Sequence, residues 1–167
     1  AELTDPSGIR FWPESKGRDG CRTPMTWDNT KRHAGFSKIM PWLPVKEKQL
    51  SKSVNLQVNN PDSVLNFYKN FLSIRKLNLA LTEGDQTFLS DEDDLLIFSR
   101  EYEKSKTLCV FNLNLETYKM NINFQFETSD ITSSNINIAQ NQIELKENGF
   151  TIISNIKREI KDLYKIV

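Results

Sequence analysis

The chain has 167 residues, 38% hydrophobic and 26% charged, with 22 basic residues balanced by 22 acidic ones. A zero net charge argues against a nucleic-acid partner, which needs a sustained basic surface. No apolar run is long enough to span a bilayer, so no membrane partner is expected either.

Three zones differ in composition. Residues 1–60 carry five of the six prolines and all three tryptophans and show neither a helical nor a strand period. A structureless run of that size is uncommon in a compact domain unless it is functional or laid over a larger body. The opening Ala1-Glu2-Leu3-Thr4-Asp5-Pro6 contains no apolar signal core. A helix is predicted over 61–77, with Asn60 as N-cap and Pro61 at its first position. Val64, Phe67, Tyr68, Phe71, Leu72 and Ile74 form its apolar face, which must pack on something: the β segment that follows, or a body outside this chain.

From about residue 86 the pattern turns to strands. Leu95-Leu96-Ile97-Phe98 follows the acidic turn Asp91-Glu92-Asp93-Asp94, and Leu108-Cys109-Val110-Phe111 follows the polar turn Glu103-Lys104-Ser105-Lys106. Met120, Ile122, Phe124 and Phe126 alternate with Asn121, Asn123 and Gln125, the signature of a half-buried strand. Ile136-Asn137-Ile138, Ile143-Glu144-Leu145 and Phe150-Thr151-Ile152-Ile153 are shorter candidates. Turn signals every ten residues or so suggest an antiparallel meander or a small sandwich. At the end, Ile156, Ile160, Leu163, Tyr164 and Val167 have the spacing of a short amphipathic helix, with a strand over 163–167 as the alternative.

Most reactive-looking groups are better read as structural. His33 is the single histidine, and no nucleophile and acid accompany it in a triad pattern. No Cys/His cluster has metal-ligand spacing, and Gly17-Arg18-Asp19-Gly20 lacks the Lys-Ser/Thr ending of a phosphate loop. Metal ions and cofactors are therefore not expected. The contiguous acids at 91–94 read as a solvated hairpin tip. Cys21 reads as a loop thiol and Cys109 as a small core residue, unpaired with each other.

The stretch Gly17-Arg18-Asp19-Gly20-Cys21-Arg22-Thr23-Pro24-Met25-Thr26-Trp27-Asp28 is different. It is too polar and too rich in Gly and Pro for a core element, yet dense in the groups that grip ligands. Sugar sites set aromatic faces against pyranose rings and planar charged groups against vicinal hydroxyls. Phe11, Trp12, Trp27, Phe36 and Trp42 supply the first kind; Arg18, Asp19, Arg22 and Asp28 supply the second. The same residues could instead anchor and knit a long loop.

The stretch, together with Asp5-Pro6-Ser7-Gly8-Ile9-Arg10-Phe11-Trp12-Pro13, His33-Ala34-Gly35-Phe36-Ser37 and Pro41-Trp42-Leu43-Pro44-Val45, resembles bacterial α-glucosidases and oligo-1,6-glucosidases of the α-amylase family. The likeness continues through Pro61 to Tyr68, matching the last barrel helix, and through Leu95 to Asn112, matching the first hairpin of the C-terminal β domain. It fades beyond about residue 115. Ser15 stands where the family usually has an aromatic and Thr26 where it often has proline.

The resemblance implies an α+β fragment: residues 1–80 as the last loop and helix of a (β/α)8 barrel, and residues 81–167 as an antiparallel β-sheet or sandwich domain. It implies a retaining glycosidase acting in the cytoplasm on terminal α-linked glucose of an oligosaccharide or disaccharide. The catalytic carboxylates of the family come from earlier barrel strands whose motifs are absent here, so no catalytic residue is assigned, and the remainder of the barrel is an implied partner. The resemblance places Arg22 in the glucose pocket, where it pairs with an upstream aspartate and helps hold hydroxyls of the non-reducing glucose, with Arg18 and Asp19 as further substrate-site candidates that order the loop. Two alternatives stay open: a non-catalytic family relative such as a transporter-partner ectodomain, and a stand-alone β module that binds carbohydrate or stabilises a neighbour.

Overall fold

In the computed structural model, which describes residues 3–90, 94–123, 127, 131–139, 142–156 and 164–166, the proline-rich first zone is a succession of short helical turns. The chain divides into two compact units, Ala1–Leu72 and Ser73–Val167.

In the first unit, α1 (Pro6–Arg10) starts where Asp5 caps it, with Pro6 in the first turn. α2 (Glu47–Leu50) and α3 (Val54–Gln57) follow two 3₁₀ turns at Asp19–Cys21 and Arg32–Gly35. None of these exceeds five residues. An element of one turn places too few side chains on a face to leave a period, which is why the sequence shows none.

α4 (Val64–Leu77) is the predicted long helix, but it begins three residues later than residue 61. Asn60 does not cap it. The Asn60 Oδ1 accepts from Asp62 N at 3.0 Å in a local turn, and Ser63 Oγ accepts from Asn66 N at 3.2 Å as the true cap. The Asn66 amide then donates to the carbonyls of Gln57, Val58 and Asn60, fixing the entry to the helix. No residue of α4 is buried, and Val64, Tyr68 and Leu72 on its apolar face are exposed.

After the end of α4, the second unit contains a helix that the sequence pattern did not reveal, α5 (Leu79–Glu83). Asn78 caps it through Oδ1 to Leu81 N at 3.1 Å and turns its amide to Thr107 Oγ1 and Ser154 Oγ, both at 2.9 Å. Arg100 Nε donates to Ala80 O at 3.2 Å, a second tie at the start of this single turn.

Seven antiparallel strands follow: β1 (Asp85–Phe88), β2 (Leu95–Tyr102), β3 (Ser105–Asn112), β4 (Tyr118–Ile122), β5 (Ile131–Ala139), β6 (Gln142–Ile153) and β7 (Tyr164–Ile166). They form one sheet in the order β1-β2-β3-β6-β4-β7, with β5 paired along the other edge of β6. The expected antiparallel sheet is present, hydrogen-bonded continuously through a single curled sheet, and β1 to β3 form a meander within it. β6 explains this. Its Gln142–Leu145 end pairs with β4 and its Phe150–Ile153 end pairs with β3 on the same edge. The two short strands expected at 143–145 and 150–153 are thus the ends of one strand, separated by the exposed Lys146, Glu147 and Asn148 that interrupt the apolar pattern.

The core collects the inward side chains of four strands: Leu95 and Ile97, Leu108 and Val110, Met120 and Ile122, and Ile143, Leu145 and Ile153. Alternation sends Phe98, Phe111 and Phe150 to the opposite face, where they stack at 6.0 and 5.9 Å between centroids. Cys109 is buried in β3 and Cys21 is exposed; both are free thiols. The outer half of the strand expected through Phe126, most of the acidic turn at 91–93, and residues 157–163 of the expected terminal helix lie outside the described residues. Of that last segment, Ile156 joins the core and Tyr164–Ile166 pairs with β4 as a strand.

Candidate functional site

The Arg/Asp/aromatic loop lies in the first unit and is closed by two carboxylates working in opposite directions. Asp5 Oδ2 accepts from Arg18 N at 2.6 Å and from Arg18 Nε at 3.4 Å, while its Oδ1 accepts from Ser7 N at 3.3 Å. Asp19 Oδ2 accepts from Thr4 N at 2.6 Å and Asp5 N at 3.1 Å, and its Oδ1 accepts from Thr4 Oγ1 at 3.0 Å. Each end of the segment therefore supplies the acceptor for the other end's backbone. Gly17 lets the chain return so closely: its φ is +64°, and an added Cβ would sit 2.7 Å from both Asp5 Oδ2 and Gly8 N.

The hydrogen bonds hold both acids ionised. The Arg18 backbone N–H is the main cause of the lowered Asp5 pKa, and the Thr4 backbone N–H is the main cause for Asp19, each opposed by burial. Asp28 is lowered too, chiefly by the Thr30 hydroxyl, and pairs with Lys31 at 3.4 Å. A general acid needs the reverse, a carboxyl kept protonated near neutral pH. These three acids are acceptors already engaged in building the loop.

Beyond the clasp, the 3₁₀ turn Asp19–Cys21 delivers Arg22, whose N–H donates to Asp19 O at 3.2 Å. The Arg22 guanidinium lies over the Trp42 ring, 5.8 Å from its centroid. The following residues are tied down: Val54 N donates to Thr26 O and Asn55 N to Trp27 O. Ala34 O accepts from both Trp27 N and Asp28 N, and it can do so because His33, Ala34 and Gly35 all adopt left-handed φ values, +51°, +55° and +70°.

The sequence-derived candidates thus part company. Asp19 is buried in the clasp; Arg18 puts Nε on Asp5 while most of its side chain is exposed; Arg22 sits half-buried against an aromatic face. Of the five aromatics proposed for a sugar site, Trp42 meets Arg22, Phe11 lies beneath Arg10 at 5.3 Å, and Trp12, Trp27 and Phe36 are exposed. Thr4 and Asp5 were not singled out as functional groups, although they complete the clasp. The only local signal for Asp5 is its place before Pro6 at a helix start. Among the described residues, no group of three or more His, Cys, Asp or Glu could hold a metal ion, and no helix is long and apolar enough to cross a membrane.

The chain is similar to a probable α-glucosidase of Rhizobium meliloti (strain 1021), 44% identical over 115 residues that cover 69% of this chain and 21% of the relative. A probable oligo-1,6-glucosidase 2 of Bacillus subtilis (strain 168) is 37% identical over 113 residues, 67% of this chain and 20% of that one. The chain therefore spans about a fifth of the length of these relatives. Among solved structures, the α-glucosyl transfer enzyme XgtA superposes with a TM-score of 0.77 at 31% identity, covering 93% of this chain and 29% of that one. The profile of the α-amylase catalytic domain matches residues 1–84, which include the clasp, Arg22, Trp42 and all of α4, and so this chain belongs to the α-amylase family.

Proposed function

We propose that this chain is the C-terminal part of a retaining α-glucosidase, and that its Gly17–Met25 loop closes the non-reducing end of a glucose pocket. In this reading residues 1–80 complete a catalytic barrel and residues 81–167 are its C-terminal β domain. Arg22 hydrogen-bonds hydroxyls of the terminal glucose; Arg18 and Asp19 hold the loop that carries it. The nucleophile and the acid/base are carboxylates of the rest of the barrel, because the acids of this loop are held ionised and occupied as acceptors.

The observation that carries the reading is the placement of Arg22: its backbone is fixed by the clasped turn and its guanidinium lies over Trp42, outside the hydrogen bonds that knit the loop. An arginine fork presented in this way matches two adjacent hydroxyl oxygens better than a lysine could. The names of the two glucosidase relatives support glucose as the recognised sugar. Closing the pocket at that end favours release of terminal glucose over cleavage within a chain. Free Cys21 and Cys109 fit a reducing compartment such as the cytoplasm. Similarity to XgtA supports a second reading for the same pocket, in which a sugar hydroxyl replaces water as acceptor of the glucosyl group.

The test is made in the full-length enzyme. Arg22→Ala is expected to lower kcat/KM for maltose by on the order of 2–4 kcal/mol of transition-state binding. An unchanged kcat/KM removes Arg22 from the site. The 167-residue chain alone is expected not to turn over a chromogenic α-glucoside, and turnover would refute the division of labour.

A further inference from the structure

We propose that Asp5 is a positioning residue for Arg22: its carboxylate locks Arg18 and, through Arg18, the turn that carries Arg22 to the sugar. This rests on the reading of Arg22 as a sugar-holding residue and adds to it the distant group on which its placement depends.

Arg22 stands at the end of a short run of fixed backbone. Its N–H donates to Asp19 O at 3.2 Å, and Cys21 N and Cys21 Sγ both donate to Arg18 O, at 3.1 and 3.0 Å. The start of that run is where Asp5 acts. Asp5 Oδ2 accepts from Arg18 N at 2.6 Å, the short distance of a bond to an ionised acceptor, and from Arg18 Nε at 3.4 Å. Asp19 returns the tie, accepting from Thr4 N at 2.6 Å and from Asp5 N at 3.1 Å. The two ties run in opposite directions between the same two segments, so neither segment shifts against the other without breaking one of them.

Between the clasped ends the chain runs out through residues 9–15 and back. Gly8 and Gly17 let the neck of that excursion close: an added Cβ at Gly8 would stand 2.5 Å from Lys16 O, and one at Gly17 2.7 Å from Gly8 N. Asp5 also caps α1, its Oδ1 accepting from Ser7 N at 3.3 Å. One carboxylate therefore joins the start of a helix to the turn before Arg22, and motion in the excursion stops at the neck. An arginine that must meet sugar hydroxyls at hydrogen-bond distance needs its backbone placed to a fraction of an ångström. Asp5 is buried, and a buried charge is weak evidence for stability; its acceptors, held at fixed angles on both sides, serve geometry.

The experiment is a double-mutant cycle in the full-length enzyme, with maltose as substrate and D-glucose as competitive inhibitor. Asp5→Ala is expected to lower kcat/KM about tenfold, with KM for maltose and Ki for glucose both rising, because a displaced Arg22 holds the sugar less well in the ground state too. Asp5→Asn keeps an oxygen for Arg18 N but turns its amide towards Ser7 N, and is expected to lose about threefold. On an Arg22→Ala background neither substitution is expected to cost anything further. Asn112→Ala, which loosens the β unit, is expected to leave KM and Ki of the folded enzyme unchanged. Fully additive losses overturn the proposal, because Asp5 then acts without Arg22. Lowered kcat with unchanged KM and Ki overturns it as well, since that is the pattern of a reduced active fraction. So does an equal rise of KM in the Asn112→Ala enzyme, which general loosening explains. If Asp5→Ala does not fold, Asp5→Asn carries the cycle, and its smaller loss must vanish when Arg22 is removed. An Arg22→Ala enzyme with unchanged kcat/KM is a separate outcome: it refutes the sugar-site reading itself, and the positioning role falls with it.

Discussion

Asn112 offers the sharpest test of how the β unit is held together. It is the last residue of β3, only 2% exposed, at the point where β3, β4 and β6 converge. Its amide nitrogen donates to Glu116 O at 2.7 Å, Lys146 O at 2.8 Å and Leu145 O at 3.3 Å, and its Oδ1 accepts from Asn114 N at 2.9 Å. Two N–H groups shared among three carbonyls, plus one accepted bond, amount to about three net hydrogen bonds at roughly 1 kcal/mol each. Asn112→Ala is therefore expected to destabilise the chain by about 3 kcal/mol. For a protein of this length that lowers Tm by roughly 6–12 °C. Asn112→Asp is close in shape but places an acceptor against three carbonyl oxygens, and at pH 7 it should cost more than the alanine variant. Burial and repulsion raise the pKa of the introduced carboxyl above its unfolded value, so the neutral, donor-bearing form is favoured in the fold. Measured against the parent at the same pH, the deficit must then shrink as pH falls towards 4. Urea unfolding followed by far-UV circular dichroism measures both effects, with an unchanged m-value showing that the unfolded ensemble is the same. An alanine variant within about 0.5 kcal/mol of the parent would refute the account. So would an aspartate variant whose deficit grows on acidification.

Two further outcomes follow from the first unit. Asp5 and Asp19 have folded-state pKa values below the ordinary 3.8, so their stabilisation of the loop is complete above that value and is lost as pH falls below it through the folded values. Hydrogen exchange at the Thr4, Asp5 and Arg18 amides should stay protected down to about pH 4 and rise below it; loosening already at pH 5 to 6 would contradict the clasp. Ala34 is buried with φ +55°, so Ala34→Gly relieves about 1 kcal/mol of left-handed strain while losing about 0.8 kcal/mol of methyl burial, and the net change in stability should be near zero. Ala34→Val, which adds a branched Cβ at the same φ, should cost about 2 kcal/mol or more in thermal unfolding. A glycine variant destabilised as much as the valine variant would show that the left-handed turn carries no strain.

What the sequence could and could not disclose follows from the range over which each interaction acts. The helix ending at Leu77 was readable because fourteen residues repeat an apolar face. Its start was misplaced because the choice between Asn60 and Ser63 depends on the Asn66 amide reaching three carbonyls at 57, 58 and 60, a network that no propensity contains. The single turn of α5 left no period, and its stability comes from Asn78, whose partners are Thr107 on β3 and Ser154, and from Arg100 on β2, whose partner is Ala80 of the helix. β6 was read as two strands because Lys146 to Asn148 break the apolar alternation, although backbone pairing with β5 runs past them, with one register shift near Asn135.

The site followed the same rule, with a functional consequence. Residue types told which chemistry was available: arginines, acids and aromatics in one loop. They did not tell which of those groups were already engaged. Asp5 meets Arg18 across thirteen positions, Asp19 meets Thr4 across fifteen, and Arg22 meets Trp42 farther still along the chain. Once those pairings are known, the groups sort by what they have left to offer. The lone pairs of Asp5, Asp19 and Asp28 are turned to the protein's own N–H and O–H groups, so these acids serve the loop. Arg22 stands apart from that network: its N–H closes the clasped turn and its guanidinium lies over Trp42. A donor set that the loop's own carboxylates do not claim is the one available to a ligand or to the rest of the proposed barrel. That distinction, more than the presence of charge or aromatics in the loop, singles out Arg22.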